Sequence, residues 1–246
     1  MSDRRAYLLM LVSVAVIWLL AVRWSGLPPL TLPSPAKVGE VLWDERSAML
    51  EGTLSTLFTA LLGYALANFI ALSLAIGSVY IRWLEAFSTP WVVVLKNIPF
   101  VALASLLIIT MGSSLLPRLI IVVLVCFHPL LANLNQGLKA ADRVLIDRMR
   151  TLDGSRWEIF RYVLWPSALP YYLAAHEIAF TTSIVGAIVA EWFLSRQGLG
   201  HILVKGMTEY RGDRIYAATL ISSVLSFGAY WICRAAGRHL TRWQRA

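Results

Sequence analysis

Long apolar stretches separated by shorter polar ones dominate this chain. The apolar runs fall at roughly residues 6–22, 53–80, 87–111, 118–138, 171–194 and 215–236. A helix needs about 20 mostly apolar residues to cross a bilayer, so the pattern predicts about six transmembrane helices and an all-α integral membrane protein. Neither an internal repeat nor a compositional boundary divides these runs, and residues 1–246 are therefore predicted to form one transmembrane domain.

The composition supports the membrane class. Hydrophobic residues make up 58% of the chain and charged residues 15%, with a mean hydropathy of +0.67. Soluble domains carry about 25% charged residues. Ten Trp and nine Tyr suit the two membrane interfaces. The first apolar run follows Arg4 and Arg5 as in a signal peptide, but no small-residue cleavage site comes after it, which favours a retained helix.

The positions of the basic residues predict the orientation. More of the 22 Lys and Arg residues fall on the side that holds both termini and residues 139–170 than on the other side. The positive-inside rule therefore places both termini and this insert in the cytoplasm. The opposite face carries residues 195–214, punctuated by glycines, and residues 23–52. In the latter segment four prolines preclude a regular helix at the start, namely Pro28, Pro29, Pro33 and Pro35.

A few charged and helix-breaking residues lie inside the apolar runs. Ionisable groups are costly there and often mark a transport path. Helical geometry puts Glu177 and Glu191 about 40° apart on one face and about 21 Å apart along the axis. We predict that this face lines a path with Lys96 near one acid; equally open is a structural, hydrogen-bonded role for each residue. Asn97 and Pro99 predict a mid-membrane kink, which suits either a cavity wall or packing.

Motifs for nucleotide binding and catalysis are missing from the sequence. It contains no G-x-x-x-x-G-K-[ST], H-E-x-x-H, C-x-x-C or G-x-S-x-G pattern. The four histidines are scattered singly, and Cys126 and Cys233 lie in apolar runs, as expected for small buried side chains. These observations predict a protein that is not an enzyme and has no cofactor or metal site of its own.

The amphipathic, net-basic insert at residues 141–170 is the segment most informative about function. Asp147 precedes a basic helical run, Gly154 interrupts it, and a second short helix is predicted to end at Pro166 and Pro170. Two short helices joined by a turn form a handle for a soluble partner, whose groove would receive an apolar face. The alternative is a membrane-parallel helix held by anionic lipid. The predicted apolar face consists of Leu152, Trp157, Ile159 and Phe160.

This insert resembles the signature loop of the inner-membrane permease subunits of bacterial ABC importers. Flanking matches at Leu32–Pro35, Ile98–Pro99, Val189–Trp192 and Gly198–Gly200 resemble the branch that imports nitrate, sulfonates, taurine and pyrimidine vitamin precursors. The resemblance covers nearly the whole chain. Its candidate ATPase-coupling residues are Asp147, Arg150, Thr151, Leu152, Gly154, Ser155, Trp157, Phe160, Pro166 and Pro170.

The loop departs from the family pattern at two places. Asp147 stands where the family has Glu, and Arg148 and Met149 replace the small residues that follow. Asp153 occupies the glycine slot, with Gly154 one place later. We expect the turn to survive, because Gly154 tolerates a positive φ and Asp153 can cap.

The resemblance implies a type I importer permease in a bacterial inner membrane. It implies that a separate ATPase binds ATP and grips the loop, that a second permease chain completes the path, and that an extracytoplasmic solute-binding protein delivers the solute. Membrane lipid surrounds such a chain, and no nucleic acid partner is expected. A secondary transporter or channel that works without ATP and an integral membrane enzyme are the competing classes. The sequence leaves the solute and the choice between self-pairing and a paralogue open.

Overall fold

The structure, a computed structural model, describes residues 3–240, and it describes the backbone alone at residues 3–8, 11, 82, 85, 89, 92, 93, 96 and 194. These residues form helices joined by short turns. The α-helices are α1 (Asp3–Trp24), α2 (Pro35–Asp44), α3 (Arg46–Tyr80), α4 (Arg82–Lys96), α5 (Phe100–Met111), α6 (Leu115–Lys139), α7 (Arg143–Thr151), α8 (Arg156–Ile159), α9 (Trp165–Leu194), α10 (Leu199–Thr208) and α11 (Gly212–Leu240).

Four helical stretches are long and apolar enough to cross a membrane. They are Arg46–Tyr80, Leu115–Lys139, Arg156–Phe193 and Gly212–Leu240. Val12–Trp24 of α1 and Phe100–Met111 of α5 are shorter apolar helices. Many large apolar side chains on these helices are exposed in the single chain, as a lipid-facing surface requires. The count of six spans in one domain stays a prediction.

The predicted span at 87–111 is two helices rather than one kinked helix. α4 ends at Lys96, and α5 begins at Phe100 with Pro99 as its N-cap. Pro99 lacks an N–H and disfavours helical backbone in the residue before it. The kink predicted from Pro99 is therefore a full break.

Helix α6 forms the centre of the bundle between α3 and α9. α3 presents to it a stripe of small residues with helical spacing that includes Ala60, Gly63 and Ala67. A Cβ on Gly63 would lie 2.5 Å from Val122 of α6, so the missing side chain is what permits this approach. Small residues let membrane helices approach closely and gain dispersion contacts. The large apolar side chains of the interface come from α6, including Leu130, Leu131 and Leu134.

The short helices lie at opposite ends of the long ones. At the α7 end, Phe160 contacts Tyr80 at the last residue of α3, with ring centroids 6.3 Å apart. At the α10 end, α2 packs through Val38 and Val41 in one cluster with Met49 of α3. Pro35 is the first residue of α2, where proline is tolerated, so the regular helix starts there and not later.

The second helix of the insert does not end at Pro166 and Pro170. α8 continues through a π-helical turn, Phe160–Leu164, directly into α9, which runs through both prolines to Leu194. Pro166 is the second residue of α9 inside this continuous helix, where a local π adjustment accommodates its missing N–H. The wider π turn precedes it, and the Trp165 N–H bonds to the Phe160 carbonyl five residues back. The handle is thus rigidly connected to a long apolar helix.

Candidate functional site

The turn that ends α7 has the hydrogen bonds of a Schellman motif. The Gly154 N–H donates to the Met149 carbonyl at 2.8 Å, and the Asp153 N–H donates to the Arg150 carbonyl at 3.1 Å. These bonds satisfy carbonyl groups that a helix end otherwise leaves without donors. A Cβ on Gly154 would lie 2.7 Å from the Met149 oxygen, so the turn requires glycine at this position.

The left-handed residue of this turn is Asp153 and not Gly154. Asp153 has φ +53°, whereas Gly154 is not among the residues of positive φ. Asp and Asn tolerate this region better than other side chains, although glycine adopts it without steric cost. The family's glycine slot therefore keeps its backbone conformation, and Gly154 is needed for close contact instead of for φ.

A capping box begins α8. The Glu158 N–H donates to Ser155 Oγ at 3.3 Å, and the Ser155 N–H donates to Glu158 Oε2 at 2.7 Å. These two bonds satisfy the N–H groups of Ser155 and Glu158, which the start of a helix otherwise leaves without acceptors. They hold Ser155 and Glu158 in one conformation. Ser155 thus has a structural role in the candidate loop. The turn and the box together fix the angle between α7 and α8.

The predicted apolar face divides into a buried half and an exposed half. Phe160 is buried and stacks on Trp157, with ring centroids 5.6 Å apart, while Ile159 is half-buried. Leu152 is 79% exposed and Trp157 is 56% exposed. Leu152 and Trp157 are therefore free in the single chain to contact a partner, and Phe160 anchors the loop to the bundle.

The other candidate loop residues are local. Asp147 and Arg150 form an exposed ion pair of 3.2 Å, of a kind that contributes little to stability. Thr151 Oγ1 donates to the Arg148 carbonyl at 2.8 Å, within α7. Pro166 and Pro170 lie on α9, behind the handle and not in it.

A polar and aromatic cluster lies between α3 and α9, and the sequence analysis missed it. The Tyr64 hydroxyl is hydrogen-bonded to Nδ1 of His176, and the Tyr172 hydroxyl donates to Asn68 Oδ1 at 2.7 Å. The rings of Tyr172 and His176 meet edge to face, with centroids 4.2 Å apart. The sequence feature that could have predicted this cluster is the spacing of four residues within each pair, Tyr64 with Asn68 and Tyr172 with His176, which places each pair on one helix face.

The candidate path residues lie on α9 and around the break between α4 and α5. The side chain of Lys96 lies outside the described part of the chain, so its predicted contact with an acid stays a prediction. Asn97 and Pro99 are exposed at the break between α4 and α5. Glu177 is half-buried on α9. Glu191 has no exposed surface, so in this conformation it has none from which to line a path.

Glu191 instead joins three helices at the α10 end. Its Oε2 accepts a hydrogen bond from Thr56 Oγ1 of α3 at 2.7 Å and one from the Gly200 N–H of α10 at 3.2 Å. Thr56 Oγ1 in turn accepts from the Leu199 N–H at 2.9 Å. A carboxylate is favourable beside a helix N-terminus, where backbone N–H groups point outward.

An ion-pair network and a cleft surround this corner. Glu45, between α2 and α3, lies 3.3 Å from Arg211 and 2.7 Å from Arg214. Beside the network, between the start of α3 and α10, is a cleft of about 570 Å³ whose lining includes Gly52, Gly198 and His201. The α10 end is thus a charged layer across the apolar helices.

The structure combines three features of a membrane transport subunit. They are long apolar helices, a rigid polar handle at one end, and polar groups buried among the helices. The chain belongs to the family of binding-protein-dependent transport system inner membrane components, which matches residues 67–242. It is a multi-pass permease subunit of an ABC importer, as the sequence resemblance implied. A secondary transporter or channel is not favoured.

Relatives whose names state a transported solute match almost the whole chain. The riboflavin transport system permease protein of Chloroflexus aurantiacus is 32% identical over 95% of this chain and 88% of the relative. The formylaminopyrimidine transport permease protein of Halalkalibacterium halodurans is 28% identical over 94% and 92%. An aliphatic sulfonates transport permease protein of Escherichia coli is 25% identical over 96% and 90%.

The fold is also found in a solved transporter. An inward-facing structure of the MetNI methionine ABC transporter matches 81% of this chain and 97% of its own chain, with a TM-score of 0.65 and 18% identity. The predicted all-α, type I importer permease fold is confirmed.

Proposed function

We propose that residues 147–170 couple this permease to a separate ATPase subunit, which binds the ATP that drives import. The observation that carries the proposal is the rigid, exposed handle. The Schellman turn at Gly154 and the capping box at Ser155 fix its shape, and Leu152 and Trp157 offer apolar surface. A preorganised apolar contact loses little conformational entropy on binding. Arg148, beside this surface, adds charge for an acidic rim.

The test is reconstitution with an ATPase subunit of an importer from the same organism. The permease should co-purify with it, and uptake into proteoliposomes should require ATP on the side where the ATPase is bound. An ATPase variant without its phosphate-binding lysine should assemble but support no uptake. Solute uptake by the permease alone, down a gradient or against one, would contradict the proposal.

The α7 end faces the cytoplasm in this proposal, with both termini on the same side. It is supported by the excess of basic residues in the loops of that side. Asp153 and Tyr210 are exposed at opposite ends of the bundle, so each can carry a cysteine for labelling. In intact cells a membrane-impermeant maleimide should label Tyr210→Cys and leave Asp153→Cys unlabelled. The reverse pattern would contradict the orientation.

A second copy of this chain completes the path in our proposal, and lipid covers the remaining apolar surface. Support comes from the exposed apolar side chains along the long helices, which a single chain leaves uncovered in the described structure. Lys96, Asn97, Pro99, Glu177 and Glu191 remain the predicted path residues. Native mass spectrometry of the complex should give two identical permease chains with two ATPase chains. A permease paired with a different permease would contradict self-pairing.

The solute class that we propose is a nitrogen-containing aromatic ring compound, delivered by an extracytoplasmic binding protein. The cluster of Tyr64, Tyr172 and His176 supports this class, because ring faces and edges are suited to a flat, polar ring. Two of the relatives carry riboflavin and formylaminopyrimidine by name. Binding of the partner protein to pyrimidines and flavins, but not to alkylsulfonates or nitrate, is the expected result. Sulfonate binding alone would contradict it.

A further inference from the structure

The hydrogen bonds at Glu191 connect α10 to the membrane helices. Among the described residues, the hydrogen bonds that tie the start of α10 to α3 and α9 run through Thr56 and the Glu191 carboxylate. Both side chains are fully buried. Buried hydrogen bonds are protected from competition by water. The side chains of Thr56 and Glu191 therefore hold the start of α10 in place.

The backbone of this corner is shaped around the carboxylate. Gly198 has φ +104°, and a Cβ there would fall on the carboxyl group of Glu191. A Cβ on Gly200 would fall on the Ile188 carbonyl of α9. Glycine is the residue that adopts such a φ freely and permits such an approach. The contact between Glu191 and α10 is thus a built feature of the fold.

The network is also incomplete in this conformation. Glu191 Oε1 is buried and has no hydrogen-bond partner among the described residues. A buried polar atom without a partner is unfavourable, and such atoms are rare in native proteins.

The cleft lies directly beside this contact. Gly52 of α3 and Gly198 before α10 both line it, and Ile202 of α10 packs against the Gly52 position. The turn that follows α10 is fixed by the ion pairs of Glu45 with Arg211 in that turn and with Arg214 in the first turn of α11. Loss of the Glu191 contact would consequently let the start of α10 move away from α3 while its other end stays attached. The cleft between α10 and α3 would widen.

We propose that Glu191 is a positioning residue that holds α10 closed against α3 and α9, and that its bonds to Thr56 and Gly200 break when the transporter opens outward. The inference rests on the proposed function and orientation, which place α10 at the extracytoplasmic end. It adds a role for Glu191, namely to keep ATP hydrolysis and outward opening dependent on the binding protein. Because the closed contact stabilises the resting state, weakening it should shift the balance toward the open state.

The test compares two threonines of α3. Thr56→Val keeps the shape of the side chain and removes the hydroxyl that joins Glu191 to Leu199. Thr53→Val is the matched control, because the Thr53 hydroxyl donates to the Met49 carbonyl of its own helix at 2.7 Å. Each variant is assembled into the complete transporter. ATP hydrolysis without binding protein is measured, as is the rate at which His201→Cys in the cleft reacts with an impermeant maleimide.

Thr56→Val should raise both rates at least about fivefold, because it removes two hydrogen bonds from the closed state, the one to Glu191 and the one from the Leu199 N–H. Thr53→Val should leave both at the wild-type values. Glu191→Gln, which retains the side-chain shape and an acceptor for Thr56, should raise both by less than Thr56→Val does. Wild-type rates in a folded Thr56→Val transporter, or equal increases in both threonine variants, would overturn the proposal.

The labelling measurement separates this inference from the proposed function. It is made on the assembled transporter and does not depend on solute uptake. A wild-type complex without ATP-driven uptake would contradict the proposed function and leave the labelling comparison intact. Faster labelling in Thr56→Val than in Thr53→Val supports the closure role in either case.

Discussion

Gly154→Val tests the handle most directly, because the rest of the loop depends on the turn at this residue. The Val Cβ would lie 2.7 Å from the Met149 oxygen and 3.2 Å from Met149 Cε. Cβ atoms in real proteins are not found that close to a backbone oxygen. The carbonyl cannot move away without breaking its 2.8 Å bond to the Gly154 N–H.

The size of the effect follows from the bonds that are lost. The substitution breaks the bond to Met149 and loosens the neighbouring bond from the Asp153 N–H to the Arg150 carbonyl. Each is worth about 0.5–1.5 kcal/mol. A total of about 2 kcal/mol lowers the ratio of ordered to disordered turn about 30-fold. The angle between α7 and α8 is then no longer fixed, and we expect ATP hydrolysis to continue while solute uptake falls.

The assay is solute taken up per ATP hydrolysed by the reconstituted transporter. Asp153→Gly is the matched control on the neighbouring residue. It removes the steric cost of an L-residue at φ +53°, about 1 kcal/mol, so the turn and the coupling should be kept. Wild-type uptake per ATP in Gly154→Val would refute the argument, as would an equal loss in Asp153→Gly.

Three further substitutions probe the handle and the bundle. Trp157→Ala should weaken binding of the ATPase about tenfold or more, because a half-exposed indole would be buried at the contact. Trp43→Ala, at the α10 end, should leave binding unchanged, and pull-down titrations measure both affinities. Tyr64→Phe should lower the free energy of unfolding by about 0.5–1 kcal/mol through loss of its hydrogen bond to α9, and a melting temperature in detergent equal to that of the wild type would contradict this. Gly137→Leu should abolish accumulation of folded protein, since a Cβ there lies 2.8 Å from the backbone of α9. Gly228→Leu, with open space around the Cβ position, should accumulate normally, and an immunoblot of membranes compares the two variants.

The handle shows how far local sequence carries the prediction. Ser155 and Glu158 are three residues apart, and the turn bonds join residues three to five apart, so nearest neighbours decide these features. The left-handed residue of the turn is Asp153, although Gly154 tolerates a positive φ as well. The choice between them depends on which peptide N–H reaches the Met149 carbonyl, and both Asp153 and Gly154 are compatible with a turn.

The prediction that a helix ends at the prolines of the insert is wrong. Pro166 and Pro170 lie within the continuous stretch from α8 to α9, because a π turn precedes them and packing on α6 supports the helix. The opposite error occurred at Pro99, where a predicted kink is a break. Proline removes one backbone donor in both places, and the neighbouring helices determine whether the chain continues.

The sequence by itself determined the membrane class, the all-α architecture, the importer permease family and the position of the exposed handle. Each of these follows from composition, from apolar runs or from motifs that are contiguous in the chain. Only the tertiary structure decided that Glu191 is joined to Thr56, which is 135 positions away, and that Tyr64 meets His176. The physical reason is that a buried polar group requires partners, and helix packing selects which distant residues supply them.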